Sequence, residues 1–166
     1  MRTRGDAAVP QVGAREYAAN MICMALVLAF ALQSSADDSF AELRDQWARN
    51  LHSKLIEASV AEYAEDADFI DPTGNRVHGR AAIRQLFQNI TAAFDSDPVF
   101  TSQRVEKSGD LAYDSGTFRE TLITRATGKR QESTGSYLTV YRRSKEGGWL
   151  IVQQMWAGPP IEMGAK

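Results

Sequence analysis

The chain is predicted to be an α+β protein, with helices first and an antiparallel meander after them, the helices lying on one face of a curved sheet. Two observations carry this. Over two stretches before residue 95 the apolar side chains recur at steps of three and four, the period of a helix with one buried stripe. After Pro98 the pattern changes to four runs rich in β-branched and aromatic residues, separated by short turn signals. No repeat, linker or low-complexity stretch interrupts the order, so one domain is expected over residues 37–166.

The first helical pattern covers Asp38–Ala67 through Phe40, Leu43, Trp47, Leu51, Leu55, Ala58, Val60 and Tyr63, as one long helix or two consecutive ones. Ser39 with Glu42 has the spacing of a capping box at its start. A short strand, Asp68–Asp71, follows. Asp71-Pro72-Thr73-Gly74 then has Asp first, Pro second and Gly fourth, the residue order of a type I turn. A second helix is predicted from Arg80 to Phe94, with Ile83, Leu86, Phe87, Ile90 and Phe94 on one face, ended by Asp95-Ser96-Asp97-Pro98.

The four strands are Val99–Lys107, Leu111–Thr124, Arg130–Arg143 and Trp149–Ala157, divided by Ser108-Gly109-Asp110, Thr127-Gly128-Lys129 and Lys145–Gly148. By alternation, Trp149, Ile151, Gln153 and Met155 share one face of the last strand, and Leu150, Val152, Gln154 and Trp156 the other. Both faces are mostly apolar, so both are expected to be covered. On Leu111–Thr124 the two sets are Tyr113, Ser115, Thr117 and Arg119 against Ala112, Asp114, Gly116 and Phe118. Either can point inward; an inward Asp114 or Glu120 adds a candidate acid.

Residues 1–36 read as a signal peptide. Met21–Leu32 is apolar and uncharged, it follows Arg2, Arg4 and Arg15, and Ser34 and Ala36 fit the small-residue positions of a cleavage site before Asp37. The run is shorter than the roughly 20 apolar residues a spanning helix needs. An exported, periplasmic or secreted domain is the expectation, touching membrane only if the segment stays uncleaved.

Composition excludes several classes of chemistry. Nineteen basic residues against 21 acidic ones, a net charge of −2, give no footprint for nucleic acid. A single cysteine allows neither an internal disulfide nor a thiolate metal cluster, and two histidines cannot build a histidine-rich metal site. No dinucleotide, phosphate-loop or nucleophile-elbow pattern occurs, so neither a metal nor a cofactor is expected. A small, mostly apolar molecule remains as the expected partner.

The informative segment runs from Tyr63 to Ile83. Together with Ser108–Ala112, Gly116, Gly135–Leu138, Gly148-Trp149 and Trp156, it resembles the nuclear-transport-factor-2-like superfamily, in its SnoaL-like and ketosteroid-isomerase-like branch of small bacterial proteins. The likeness covers Phe40 to Ala157. It implies a cone-shaped barrel: a curved, mostly antiparallel sheet with the N-terminal helices packed on its concave face around an apolar pocket. Members include isomerases, cyclases, dehydratases and non-catalytic binding or assembly domains, so the fold does not fix the activity. A homodimer formed through the sheet is also implied.

In the isomerases of this branch the general base is an aspartate followed by proline at the end of the first short strand, which here is Asp71. The donor tyrosine of that family falls on Trp47 and its second, acidic donor near Thr139, so two oxyanion donors depart from the pattern. Asp71 is thus the candidate catalytic residue, with a turn role as the competing reading. Candidate ligand-binding residues are Trp47, Tyr63, Phe69, Phe87, Tyr113, Thr139, Gln153, Met155 and Trp156, for which plain core packing competes. The leading reading is an exported small-molecule-binding domain. The alternatives are a cofactor-free isomerase, cyclase or dehydratase using Asp71, or a dimerisation domain.

Overall fold

A computed structural model describes residues 39–159; the signal segment expected over residues 1–36 lies outside them. Residues 39–52 form α1, whose stripe of Phe40, Trp47 and Leu51 is buried. The helix stops at a turn in which Lys54 takes a positive φ of 60°, and Leu55 is left exposed. Ile56–Ala61 then form the short α2. The helical pattern therefore divides in two, one of the two arrangements that the sequence allows.

Strand β1 spans Tyr63–Ile70, longer than expected and starting five residues early. Tyr63 continues the helical spacing from Val60, but it belongs to a strand that buries Tyr63, Ala64, Ala67 and Phe69. A register shift between Tyr63 and Asp68 explains the disguise. The irregularity breaks the alternation, leaving Glu65 and Asp66 side by side in solvent. After the turn, Arg76–His78 form β2, an edge strand paired with β1 that the sequence did not announce.

Helix α3, Arg80–Ala93, buries Ile83, Phe87 and Thr91, and begins at Gly79, whose φ of 87° suits glycine. Strand β3, Phe94–Ser108, follows it directly, so that Asp95–Pro98 is strand and not loop. Pro98 is tolerated because β3 is an edge strand. Strands β4 (Leu111–Thr124), β5 (Arg130–Arg143) and β6 (Trp149–Ala157) have the limits the sequence predicts.

The sheet order is β2-β1-β6-β5-β4-β3, antiparallel except where β1 meets β6 in parallel. The six strands form one open, curved sheet, not a closed barrel, with the helices on its inner face. Two glycines permit the tight inner contacts. A Cβ on Gly116 would lie 2.0 Å from the Thr101 carbonyl oxygen, and one on Gly135 would lie 2.1 Å from that of Ala157. Trp47 sits at the centre of the core, its ring 5.8 Å from Phe87, 5.9 Å from Phe100 and 5.9 Å from Trp156. Such edge-on aromatic clusters fill a curved interior that aliphatic side chains would leave loose.

Candidate functional site

The interior is not completely filled. A cavity of about 290 Å³ opens between α1, α3 and the inner face of the sheet. Trp47 and Leu51 of α1, Leu86, Phe87 and Ile90 of α3, and Phe94 at the start of β3 form one side. Phe69, Phe118, Leu122 and Trp156 form the sheet side, and the turn of Asp71, Pro72, Thr73 and Asn75 forms the rim. The polar exceptions inside are Glu120 and Ser133, which face each other across β4 and β5.

Glu120 reaches this position because β4 turns one set of alternating side chains inward: Ala112, Asp114, Phe118, Glu120 and Leu122 are all buried. Its carboxyl accepts one hydrogen bond, from Ser96 Oγ at 2.5 Å. Among the described residues no lysine, arginine or histidine forms an ion pair with it. Burial in apolar surroundings pushes the carboxyl up from its ordinary range, and the Ser96 bond offsets only part of that.

The second inward acid of β4 is treated differently. Asp114 is fully buried, yet it accepts from Arg44 Nη1 at 3.0 Å, Ser102 Oγ at 2.5 Å and Tyr137 Oη at 3.0 Å. Desolvation first, and then the neighbouring Asp114 charge, push the Tyr137 hydroxyl up to about 12. This closed network ties α1 to the sheet; none of its members lines the cavity.

Asp71 is at the rim, and its carboxylate is committed to its own turn. Oδ1 accepts from Thr73 N at 2.8 Å, Thr73 Oγ1 at 2.7 Å and Asn75 N at 3.0 Å, and Oδ2 from Asn75 Nδ2 at 3.3 Å. The backbone closes the same turn, with Gly74 N donating to Asp71 O at 2.9 Å. Partial burial would raise the carboxyl, but the donors of Thr73 and Asn75 outweigh it and hold Asp71 below its usual range. A base needs a free lone pair directed at its substrate; here three donors converge on one oxygen.

Of the sequence-predicted residues, Asp71, Trp47, Phe69, Phe87 and Trp156 come together around the cavity. Tyr63 and Thr139 lie in the core behind it. The Tyr63 hydroxyl donates to Gln154 Oε1, and Gln154 Nε2 in turn donates to Thr139 Oγ1 at 3.5 Å. Tyr113, Gln153 and Met155 lie on the outer face, where Tyr113 neighbours Val140, Val140 neighbours Gln153, and Leu138 neighbours Met155. For Gln153 and Met155 the reason is a bulge: Val152 is an extra residue between the pairs Val140–Gln153 and Tyr141–Ile151. The bulge leaves Ile151, Gln154 and Trp156 inward, mixing the two sets that strict alternation keeps apart.

The indole N–H groups of Trp47 and Trp156 are buried and have no hydrogen-bond partner among the described residues. Among the described residues no group of three His, Cys, Asp or Glu side chains is placed to hold a metal. Glu120 was a candidate acid on condition that its strand face points inward, as it does, whereas Ser133 is a polar cavity residue that the sequence did not single out. The available signal was parity, since Glu120 shares its set with Ala112, Gly116, Phe118 and Leu122.

A family model for the SnoaL-like domain matches residues 45–153. Among solved structures, a conserved protein from Planctomyces limnophilus is similar at 15% identity and a TM-score of 0.71, over 77% of this chain and 99% of that one. A nuclear-transport-factor-2-like superfamily protein from Salmonella enterica serovar Typhimurium is similar at 19% identity and a TM-score of 0.67, over 80% and 99%. A ketosteroid isomerase-like protein from Erwinia carotovora atroseptica is similar at 18% identity and a TM-score of 0.65, over 71% and 92%. Among curated proteins, none matches the chain. At these identities the structural likeness speaks for the fold alone.

Proposed function

The chain belongs to the SnoaL-like family, and from that footing we propose that it is a small-molecule-binding domain holding an apolar molecule between α1, α3 and the sheet. One observation carries the reading: an aromatic-walled cavity of about 290 Å³ whose few polar groups are confined to its rim and to the pair Glu120 and Ser133. Apolar walls with a few placed polar anchors are what small-molecule sites are made of. A dry cavity of about 150 Å³ takes up benzene, so a space of this size suits a molecule of about a dozen non-hydrogen atoms.

Calorimetric titration with 1-naphthylmethanol, a neutral two-ring probe of that size, tests the proposal. The wild-type protein is expected to bind it. The variant Ile90→Trp, which fills the cavity from α3, is expected to lose binding while keeping its circular dichroism. Binding unchanged in the filled variant, or absence of binding by this alcohol and by the amine and carboxylate of the same ring system alike, would overturn the reading.

A cofactor-free acid–base enzyme is the second reading. It is favoured by an acid inside an apolar cavity, a setting that strengthens a carboxyl's hold on its proton. On this geometry the acid is Glu120, since Asp71 spends its acceptors on its turn. Export through residues 1–36 and pairing of two copies across the outer face, where Leu138, Val140 and Met155 lie together, complete the proposal. Mass measurement of the protein from its exporting host tests the first, and sedimentation at several concentrations tests the second.

A further inference from the structure

We infer that the cavity selects a cationic amine, an ammonium group carried on an apolar ring system, with Glu120 as its counter-charge and the surrounding aromatic rings as its walls. The inference rests on the small-molecule-binding reading and names the ligand class of that same site.

The charge inventory is one-sided. Among the described residues the ionisable side chains lining the cavity are Glu120 inside and Asp71 at the rim, and no lysine, arginine or histidine is among them. Glu120 is 4% exposed, and one serine hydroxyl is its sole hydrogen-bond partner among the described residues, leaving its second carboxylate oxygen unengaged. Buried carboxylates are costly unless a charge pairs with them. The same strand shows how this protein completes a structural acid, since Asp114 is given Arg44, Ser102 and Tyr137. Glu120 is given an opening instead.

The walls fit the same chemistry. Trp47, Phe87, Phe118 and Trp156 line the space, and aromatic faces attract a desolvated cation while accepting its apolar body. An anionic ligand would meet two acids and, among the described residues, no cation, so it is disfavoured. A neutral carbonyl or hydroxyl would use Glu120 as a protonated donor. That is the competing occupant, and the experiment separates the two.

Affinities are measured by calorimetry at pH 7.5 for three probes of one ring system: 1-naphthylmethylamine, which is protonated there, 1-naphthylmethanol and 1-naphthoate. The amine is expected to bind at least tenfold more tightly than the alcohol, and the carboxylate weakest. Glu120→Gln is expected to bring amine and alcohol within about twofold of each other. The wild-type ranking stands as a test by itself if that variant does not fold. Alcohol binding equal to or tighter than amine binding would overturn the ammonium site, as would an amine preference that survives Glu120→Gln. If none of the three probes binds, the small-molecule reading itself fails.

Discussion

Glu62 offers a sharp test of the electrostatics of this fold, because a single substitution isolates one titration. It follows α2, half-buried, where its Oε1 accepts from Asn50 Nδ2 at 3.3 Å. Desolvation is the main influence on the carboxyl; Asn50 and the nearby Arg49 charge offset it only in part, and the group is pushed up from 4.5 to about 7. A carboxyl raised on folding keeps its proton in the native state over a range where the unfolded chain has lost it. Stability therefore falls as pH rises from about 4.5 to about 7 and stays lower above that. Each unit of displacement is worth about 1.4 kcal/mol, which sets an upper bound of about 3 kcal/mol. The side chain is partly exposed and solvent screens it, so about 1–2 kcal/mol is the expected penalty. Glu62→Gln keeps the shape and an acceptor for Asn50 but removes the charge. Urea unfolding at pH 4 and pH 8 should show the variant equal to wild type in acid and about 1–2 kcal/mol more stable in base. A gain of the same size at both pH values, or none at pH 8, would refute the desolvation argument.

Asp114→Asn should destabilise the protein by about 3 kcal/mol in urea unfolding, because it leaves the half-buried Arg44 guanidinium with only the exposed Asp45 to pair with. A cost below about 1 kcal/mol would mean the network is dispensable. Gly135→Ala drives a Cβ against the Ala157 carbonyl oxygen and Phe118 Cε1, at 2.1 and 2.8 Å in the unrelaxed geometry. It should cost about 2–3 kcal/mol, seen as a lower melting temperature in calorimetry. Asp71→Ala removes the acceptor of the rim turn and should cost about 1 kcal/mol, as loss of a capping carboxylate does. Because that carboxyl is held below its usual range, its contribution is present at neutral pH and vanishes as pH falls through the folded value. The Asp71→Ala deficit should accordingly shrink in acid.

The architecture was legible where one periodicity ran undisturbed. Strands β4 and β5 have long stretches of one period bounded by glycine or charged turns, and their limits follow from those. Legibility failed at irregularities that only pairing creates. The shift inside β1 put Tyr63 and Val60 at a helical spacing although they lie on different elements. The extra residue at Val152 reversed the parity of β6, placing Gln154 inside and Gln153 outside, and nothing in the composition of two adjacent glutamines distinguishes them. Pro98 read as a terminator because proline cannot donate to a ladder; that rule lapses on an edge strand, and edge position is a property of the assembled sheet.

The candidate site was less legible than the fold, and the reason lies in the contrast between three acids. Asp71 drew attention because its sequence neighbours make a motif, and those same neighbours, Thr73 and Asn75, direct three donors at Oδ1 and one at Oδ2. Asp114 and Glu120 stand on one strand at the same parity, with no local motif to separate them, yet they have opposite fates. Asp114 lies where α1 brings Arg44 across the sheet, so its charge is answered from within the chain. Glu120 lies six residues further along, beside Ser133 and the aromatic wall, and no cation among the described residues reaches it. What makes an acid structural or available is therefore the presence of a partner seventy residues away in the chain, as Arg44 is from Asp114. A buried acid left with one neutral partner retains an unmet demand for a proton or a cation, and a bound molecule is the means by which this cavity can meet it.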